Sequence, residues 1–328
     1  MADPILSVQN LQIGMRGLPE ARILRGVSFD IHRGETLAIV GESGCGKSVT
    51  SLAVMGLLSD ALEVTGGRIL FEGRDLPVAD NEAMRKIRGK RIGMVFQEPM
   101  SALNPVHTIG RQVAEVILEH ERVPRAVAHE RAVALLAQMG LPDPAALALE
   151  YPHRLSGGQR QRVVIAMALA CTPDLLIADE PTTALDVTVQ AQIMALLARL
   201  QAELHIALML ITHNLGLVAQ TADRVAVMYA GHSVEQAPVV PLFAAPWHPY
   251  TEGLMRATPR PGRLPEGGKP MEEIPGMVPS ITDPLTGCRF RPRCAYATGA
   301  CASRVPPLVE AGGHGVACCH PLNGGPRA

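Results

Sequence analysis

The sequence predicts an α/β fold with a largely parallel core sheet, an inserted α-helical subdomain and an irregular, cysteine-containing C-terminal extension. Short apolar runs that stop at glycine-rich or acidic motifs alternate with helix-compatible stretches, the pattern of a parallel sheet covered by helices. An alanine-rich stretch from Pro99 to Tyr151 carries no convincing strand. Beyond about Val240 the chain turns rich in proline and glycine, which sustain neither ladders nor helices well. These shifts place a first domain at residues 1–240, its helical subdomain at about 99–160, and the extension at 241–328.

Each element follows from its own residues. The β-branched and apolar run Thr36–Val40 reads as a strand, and Ser48–Leu58 after it has helical spacing. Further strands are expected at Arg68–Phe71, Ile92–Phe96, Leu175–Asp179, Ala207–Thr212 and Arg224–Tyr229, with a helix at Val187–Leu204. Inside the helical stretch, Val113–His120 and Ala126–Met139 fit helices that end before Leu141-Pro142-Asp143-Pro144. Pro259–Pro270 and Ile274–Pro284 are expected to be irregular.

Composition narrows the function classes. A net charge of −1 with both signs interspersed gives no attraction to nucleic acid or anionic lipid. Although 47% of the 328 residues are hydrophobic, runs such as Ile206–Ile211 fall far short of the roughly 20 residues that a spanning helix needs. The start, Met1-Ala2-Asp3-Pro4-Ile5-Leu6, lacks the basic and apolar regions of a secretory signal, so a cytosolic location with reduced cysteines is expected.

Between the strand Thr36–Val40 and its helix lies Gly41-Glu42-Ser43-Gly44-Cys45-Gly46-Lys47-Ser48, a complete phosphate-binding loop. Its glycines let successive main-chain N–H groups converge on phosphates, and the helix start adds its dipole. Lys47 is placed to reach the β- and γ-phosphates, and the Ser48 hydroxyl to ligate Mg²⁺. The strand Leu175–Asp179 ends in two adjacent acids with different tasks: Asp179 holds the Mg²⁺ shell, and Glu180 accepts a proton from, or orients, the attacking water. His213, at the end of another apolar run, is expected to contact the γ-phosphate; the alternative is a satisfied loop histidine. Gln97 is expected near Mg²⁺ and the water, able to withdraw when its loop moves.

The phosphate loop, Gln97, Leu155-Ser156-Gly157-Gly158-Gln159, Leu175–Glu180, Ala184-Leu185-Asp186 and His213 occur in the order seen in ABC transporter ATPases, which this chain resembles from about Leu6 to Gln236. Finer features resemble the oligopeptide/dipeptide importer subfamily: Gln97-Glu98-Pro99-Met100-Ser101-Ala102-Leu103-Asn104-Pro105, Val187-Thr188-Val189-Gln190-Ala191-Gln192, Trp247-His248-Pro249-Tyr250-Thr251, and Ile274-Pro275-Gly276 through Cys301. The resemblance implies a head-to-tail pair of ATPases with two ATP molecules at their interface. Ser156, Gly157, Gly158 and Gln159 would then face the partner's nucleotide, and Asp186 would couple the two sites. It also implies a second, similar ATPase as heterodimer partner, two membrane permease subunits and, indirectly, an extracytoplasmic binding protein. The chain would sit peripherally on the cytoplasmic face of the inner membrane and power dipeptide or oligopeptide import. Related systems carry nickel or glutathione, and a soluble ABC ATPase outside transport is the remoter alternative. Where such proteins place an aromatic ring against adenine, this chain offers Met15, with Ile23 nearby.

Five of the seven cysteines crowd into the tail. In a reducing compartment Cys288, Cys294, Cys301 and one of Cys318 and Cys319 suit a metal better than a disulfide framework. Four thiolates fit Zn²⁺ or an iron–sulfur cluster, and their spacing does not choose between them. The subfamily resemblance favours a [4Fe–4S] cluster with Cys318 as fourth ligand, Cys319 remaining the alternative. Its expected role is to pin the tail against the ATPase.

Overall fold

The computed structural model describes residues 3–97, 102–183, 185–258, 273–284 and 286–328. The expected motif residues Glu98–Ser101 and Ala184, and the whole of Pro259–Pro270, lie outside these ranges.

At the centre is an eight-stranded sheet in the order β11-β12-β10-β9-β3-β8-β7-β6. Five of its strands run parallel: β9 (Arg224–Tyr229), β3 (Thr36–Val40), β8 (Ala207–Ile211), β7 (Leu175–Asp179) and β6 (Ile92–Val95). These are the short apolar runs of the sequence. They are apolar on both sides because both faces are covered, as parallel sheets require. Leu175 and Ile177 of β7 enter one core with Met209 and Ile211 of β8. The intervening Leu176 and Ala178 enter a second core with Leu208 and Leu210. Period-two alternation thus splits a uniformly hydrophobic strand between two cores.

The first core is closed by a separate antiparallel sheet, β2-β1-β4-β5, formed by Leu18–Ile31, Leu6–Met15, Leu62–Phe71 and Arg74–Asp75. Arg68–Phe71, expected among the strands, is therefore the end of a longer strand in this second sheet. Its cross-strand partners in β1, Leu6–Gln9, lie some sixty positions earlier, and strand composition alone does not reveal which sheet a strand joins. The second core is closed by the helices Ile109–His120, Arg125–Gln138, Gly157–Leu169 and Val187–Leu204.

The tail departs from the irregular extension expected. β12 (His314–Val316) pairs with β10 (His232–Pro238), and β11 (Val309–Ala311) pairs with β12, so two tail strands extend the central sheet. The helix Pro249–Ala257 and Phe290 lay Tyr250, Met255 and a phenyl ring against Ala38, Val40, Val225 and Val227. Glu235, fully buried, accepts main-chain N–H groups from Trp247 (2.5 Å) and His248 (3.0 Å) and lies 2.7 Å from His314 Nε2. These three partners satisfy the buried carboxyl, and removing any one would cost it a hydrogen bond in the interior.

Candidate functional site

Parallel strands deliver their C-terminal ends to one edge of the sheet, and the candidate residues stand there. The phosphate loop leaves β3 at Gly41, whose φ of 152° and close approach to β9 admit only glycine: a Cβ there would lie 2.2 Å from the Met228 carbonyl oxygen. The helix Lys47–Val54 starts directly after the loop, with Gly46 in the left-handed region. Lys47 is buried, and its ammonium donates to the Gly41 (2.8 Å) and Glu42 (3.1 Å) carbonyls, across the mouth of the loop. Cys45 is a buried thiol, its ionisation disfavoured by burial. Ser43 and Gly44 are exposed.

The Ser48 hydroxyl donates to Asp179 Oδ1 at 3.0 Å, and Ser51 lies 3.4 Å from Oδ2. Burial pushes the Asp179 carboxyl above its ordinary range, with the neighbouring Glu180 adding to the effect and Ser48 opposing it. A buried carboxylate in that condition gains from a cation. Ser48 and Asp179 together are a hard-oxygen pair suited to Mg²⁺.

Glu180 has a left-handed backbone, φ 45°, fixed by its N–H donating to the Ile211 carbonyl of β8. Non-glycine residues adopt this region at a cost, and such outliers mark functional positions. The turn carries its carboxylate away from Asp179 and into a cluster. Thr183 Oγ1 donates to Oε2 at 3.0 Å, Gln97 Nε2 lies 3.4 Å from the same oxygen, and His213 Nδ1 lies 3.3 Å from Oε1. His213 and Gln97 are exposed, so both reach Glu180 from the solvent side. Sequence reasoning anticipated the two acids and both neighbours but not Thr183, whose only signal is its position three residues after the acid.

The turn Leu155–Gln159 is built differently. Ser156 caps the helix Gly157–Leu169 in a reciprocal box: Gln159 N–H donates to Ser156 Oγ (3.3 Å), and Ser156 N–H donates to Gln159 Oε1 (2.9 Å). These bonds stay inside the turn, and the Ser156 and Gly157 positions face solvent. Gly158 packs on the helix that follows Asp186, where a Cβ would meet Val189 Cγ1 at 2.8 Å. Asp186 caps that helix by accepting the Val189 N–H at 2.9 Å. Turn and Asp186 loop therefore form one rigid exposed surface.

Met15 is half-buried at the end of β1, opposite Leu18 and Leu62. Ile23 sits closer to the phosphate loop, its carbonyl oxygen 3.6 Å from where a Gly46 Cβ would lie. In the tail, Cys288, Cys294, Cys301, Cys318 and Cys319 all line one small cavity with His248 and His320. Burial raises the Cys288 thiol to about 11 and the Cys318 thiol to about 12, and the neighbouring sulfurs add to both shifts. Among the described residues no three metal-ligating side chains stand close enough to share one ion. No helix among them is long and apolar enough to cross a membrane.

The chain is similar to known proteins along most of its length. The family described as ABC transporter matches residues 24–183, and the family described as the C-terminal region of oligopeptide/dipeptide transporters matches residues 234–301. The chain is 51% identical, over 97% of its length and 95% of the relative's, to a Sinorhizobium fredii protein described as a probable peptide ABC transporter ATP-binding protein. It is 48% identical to the dipeptide transport ATP-binding protein of Bacillus subtilis, over 96% of this chain and 94% of that one. Among solved structures, cbiO1 of Clostridium perfringens, part of an ABC transporter complex, superposes with a TM-score of 0.64 at 32% identity, covering 74% of this chain and 92% of the other. A dimeric ATP-binding cassette in a post-hydrolysis state, bound to ADP and Pi, gives 0.63 at 28% identity, covering 71% and 98%.

Proposed function

Because the chain belongs to the ATP-binding proteins of ABC transporters, in their oligopeptide/dipeptide branch, we propose that it hydrolyses ATP to drive import of dipeptides or oligopeptides through membrane permeases. The observation that carries the reading is the division of labour at the end of β7. Asp179 is hydrogen-bonded to Ser48 of the phosphate loop, while the strained turn aims Glu180 at Gln97, Thr183 and His213.

In the proposed mechanism Lys47 and the loop N–H groups bind the β- and γ-phosphates of ATP. Ser48 and Asp179, with Gln97 nearby, hold Mg²⁺, which neutralises phosphate charge when bound. Glu180 takes the proton of the attacking water, and Thr183 and His213 orient its carboxylate. His213 also contacts the γ-phosphate. Ser156, Gly157, Gly158 and Gln159 complete the site of a second, similar ATPase, and Asp186 couples the two. Closure of that pair drives two permease subunits, and hydrolysis resets them. The assembly sits on the cytoplasmic face of the membrane and receives cargo from an extracytoplasmic binding protein. Adenine lies against Met15 or Ile23.

The same proposal gives the tail a [4Fe–4S] cluster held by Cys288, Cys294, Cys301 and Cys318. A donor set of sulfurs around one cavity supports a multinuclear cluster, in which each iron takes one thiolate, over a single zinc ion. Bound there, the cluster would supply the charge that offsets the burial raising Cys288, Cys294 and Cys318, and it would pin the tail. Iron content after anaerobic purification tests this, and Cys318→Ser against Cys319→Ser identifies the fourth ligand. The cargo is tested by growth of a deletion strain on defined peptides; undiminished growth on dipeptides and oligopeptides would reject it.

A further inference from the structure

Among the described residues, the tail hydrogen-bonds the phosphate loop at Glu42. Its N–H donates to the Tyr250 hydroxyl at 2.8 Å. Its carboxylate receives a fork from Arg293, Nη1 to Oε2 at 2.6 Å and Nη2 to Oε1 at 3.0 Å. Its carbonyl oxygen accepts from Lys47 at 3.1 Å and from the Cys45 N–H at 3.3 Å. Both tail contacts span more than two hundred residues of sequence, 208 for Tyr250 and 251 for Arg293.

The two tail residues are themselves held. The Arg293 side chain is 4% exposed and also donates to the carbonyls of Pro275 (2.9 Å) and Ile274 (3.1 Å). Tyr250 is fully buried and packs against the Tyr229 and Phe290 rings, with centroids 4.6 and 5.4 Å away. A bidentate guanidinium–carboxylate pair whose guanidinium is buried is directional, and a donor held in place transmits its position to what it binds.

We infer that Arg293 and Tyr250 are positioning residues for the phosphate loop, clamping Glu42 so that the loop is held in the shape that receives phosphate. This rests on the nucleotide reading of the loop. It gives the tail a task in the ATP site, and since Cys294 follows Arg293 in the chain, disturbance of the cysteine cluster reaches the loop by the same route.

The test is equilibrium binding of Mg–ATP to the full-length chain in a Glu180→Gln background, which prevents turnover. Arg293→Gln and Glu42→Gln are each expected to weaken ATP binding about tenfold, the loss of one hydrogen-bonded charge pair. The double variant is expected to be no weaker than either single one. Arg293→Lys should recover part of the affinity, keeping the charge without the fork. Wild-type affinity in Arg293→Gln alongside a lowered melting temperature would show a merely structural tail and overturn the inference, as would effects that multiply in the double variant. If Arg293→Gln does not fold, Glu42→Gln and Tyr250→Phe carry the same test. Failure of the underlying reading is separate: the unclamped question would not arise if the parent chain bound no ATP and Lys47→Ala changed nothing.

Discussion

The phosphate-loop edge and the Leu155–Gln159 turn are both helix starts, yet they are wired in opposite ways. At the first, Ser48, Asp179, Glu180, Thr183, Gln97 and His213 come from the ends of separate elements and hydrogen-bond or pair with one another. At the second, Ser156 and Gln159 satisfy each other, Gly157 faces solvent, and Gly158 packs against Val189. A convergent cluster can perform chemistry where it stands, whereas a self-satisfied rigid turn can only present itself to another surface. That contrast is the physical basis of the proposal that one chain supplies half of each of two sites.

The largest expected effect tests the convergent side. Glu180→Gln should bind ATP yet lose about 10²- to 10⁴-fold in turnover, the usual worth of a general base. Steady-state hydrolysis beside nucleotide binding measures it, and sustained turnover would remove Glu180 from that role. Next comes the presenting side. Gly158→Val drives a side chain into Val189, and Ser156→Ala removes the cap, which costs about 1 kcal/mol of helix stability. In a dimer with one variant subunit, hydrolysis should fall at the other subunit's phosphate loop; a loss confined to the variant's own loop would collapse the distinction.

A smaller effect concerns stability. Burial raises the Asp179 carboxyl, so its ionised form is held at a cost, and the native state keeps the proton over a window just above its ordinary value. Stability from this group therefore declines as pH rises through that window. Asp179→Asn should raise the melting temperature of the nucleotide-free protein while weakening Mg²⁺-dependent ATP binding; a lower melting temperature would contradict the burial argument.

The smallest expected effect lies in the tail. Burial lowers His248 to about 4, and its Nδ1 accepts the Tyr250 N–H at 3.0 Å, which needs the neutral ring. The unfolded chain binds this proton near pH 6.5 and the folded one does not, so stability present at neutral pH is lost as pH falls from about 6.5 towards about 4. His248→Asn, which can still cap the helix, should flatten that dependence in thermal melts; an unchanged slope would assign it elsewhere.

Much of the site was legible because its signals are local. Gly41–Ser48 and Leu175–Glu180 are contiguous segments in which an apolar run dictates a buried strand and the next residues must emerge at its end. Val187–Leu204 was legible for the same reason, its apolar positions recurring at helical spacing up to His205. The antiparallel sheet was only partly visible, since β1, β2 and β4 are interrupted by register shifts that blur their alternation. The tail was read as irregular because β11 and β12 are three residues each, too short to show a period.

By itself, then, the sequence determined the parallel strands, the phosphate loop, the paired acids and the capped turn, each encoded by neighbours along the chain. Tertiary structure alone decided that His314 meets Glu235 and that Arg293 grips Glu42 across 251 residues. Propensity and periodicity act over a few residues, but a hydrogen bond between distant segments is fixed only by how the sheets and helices pack.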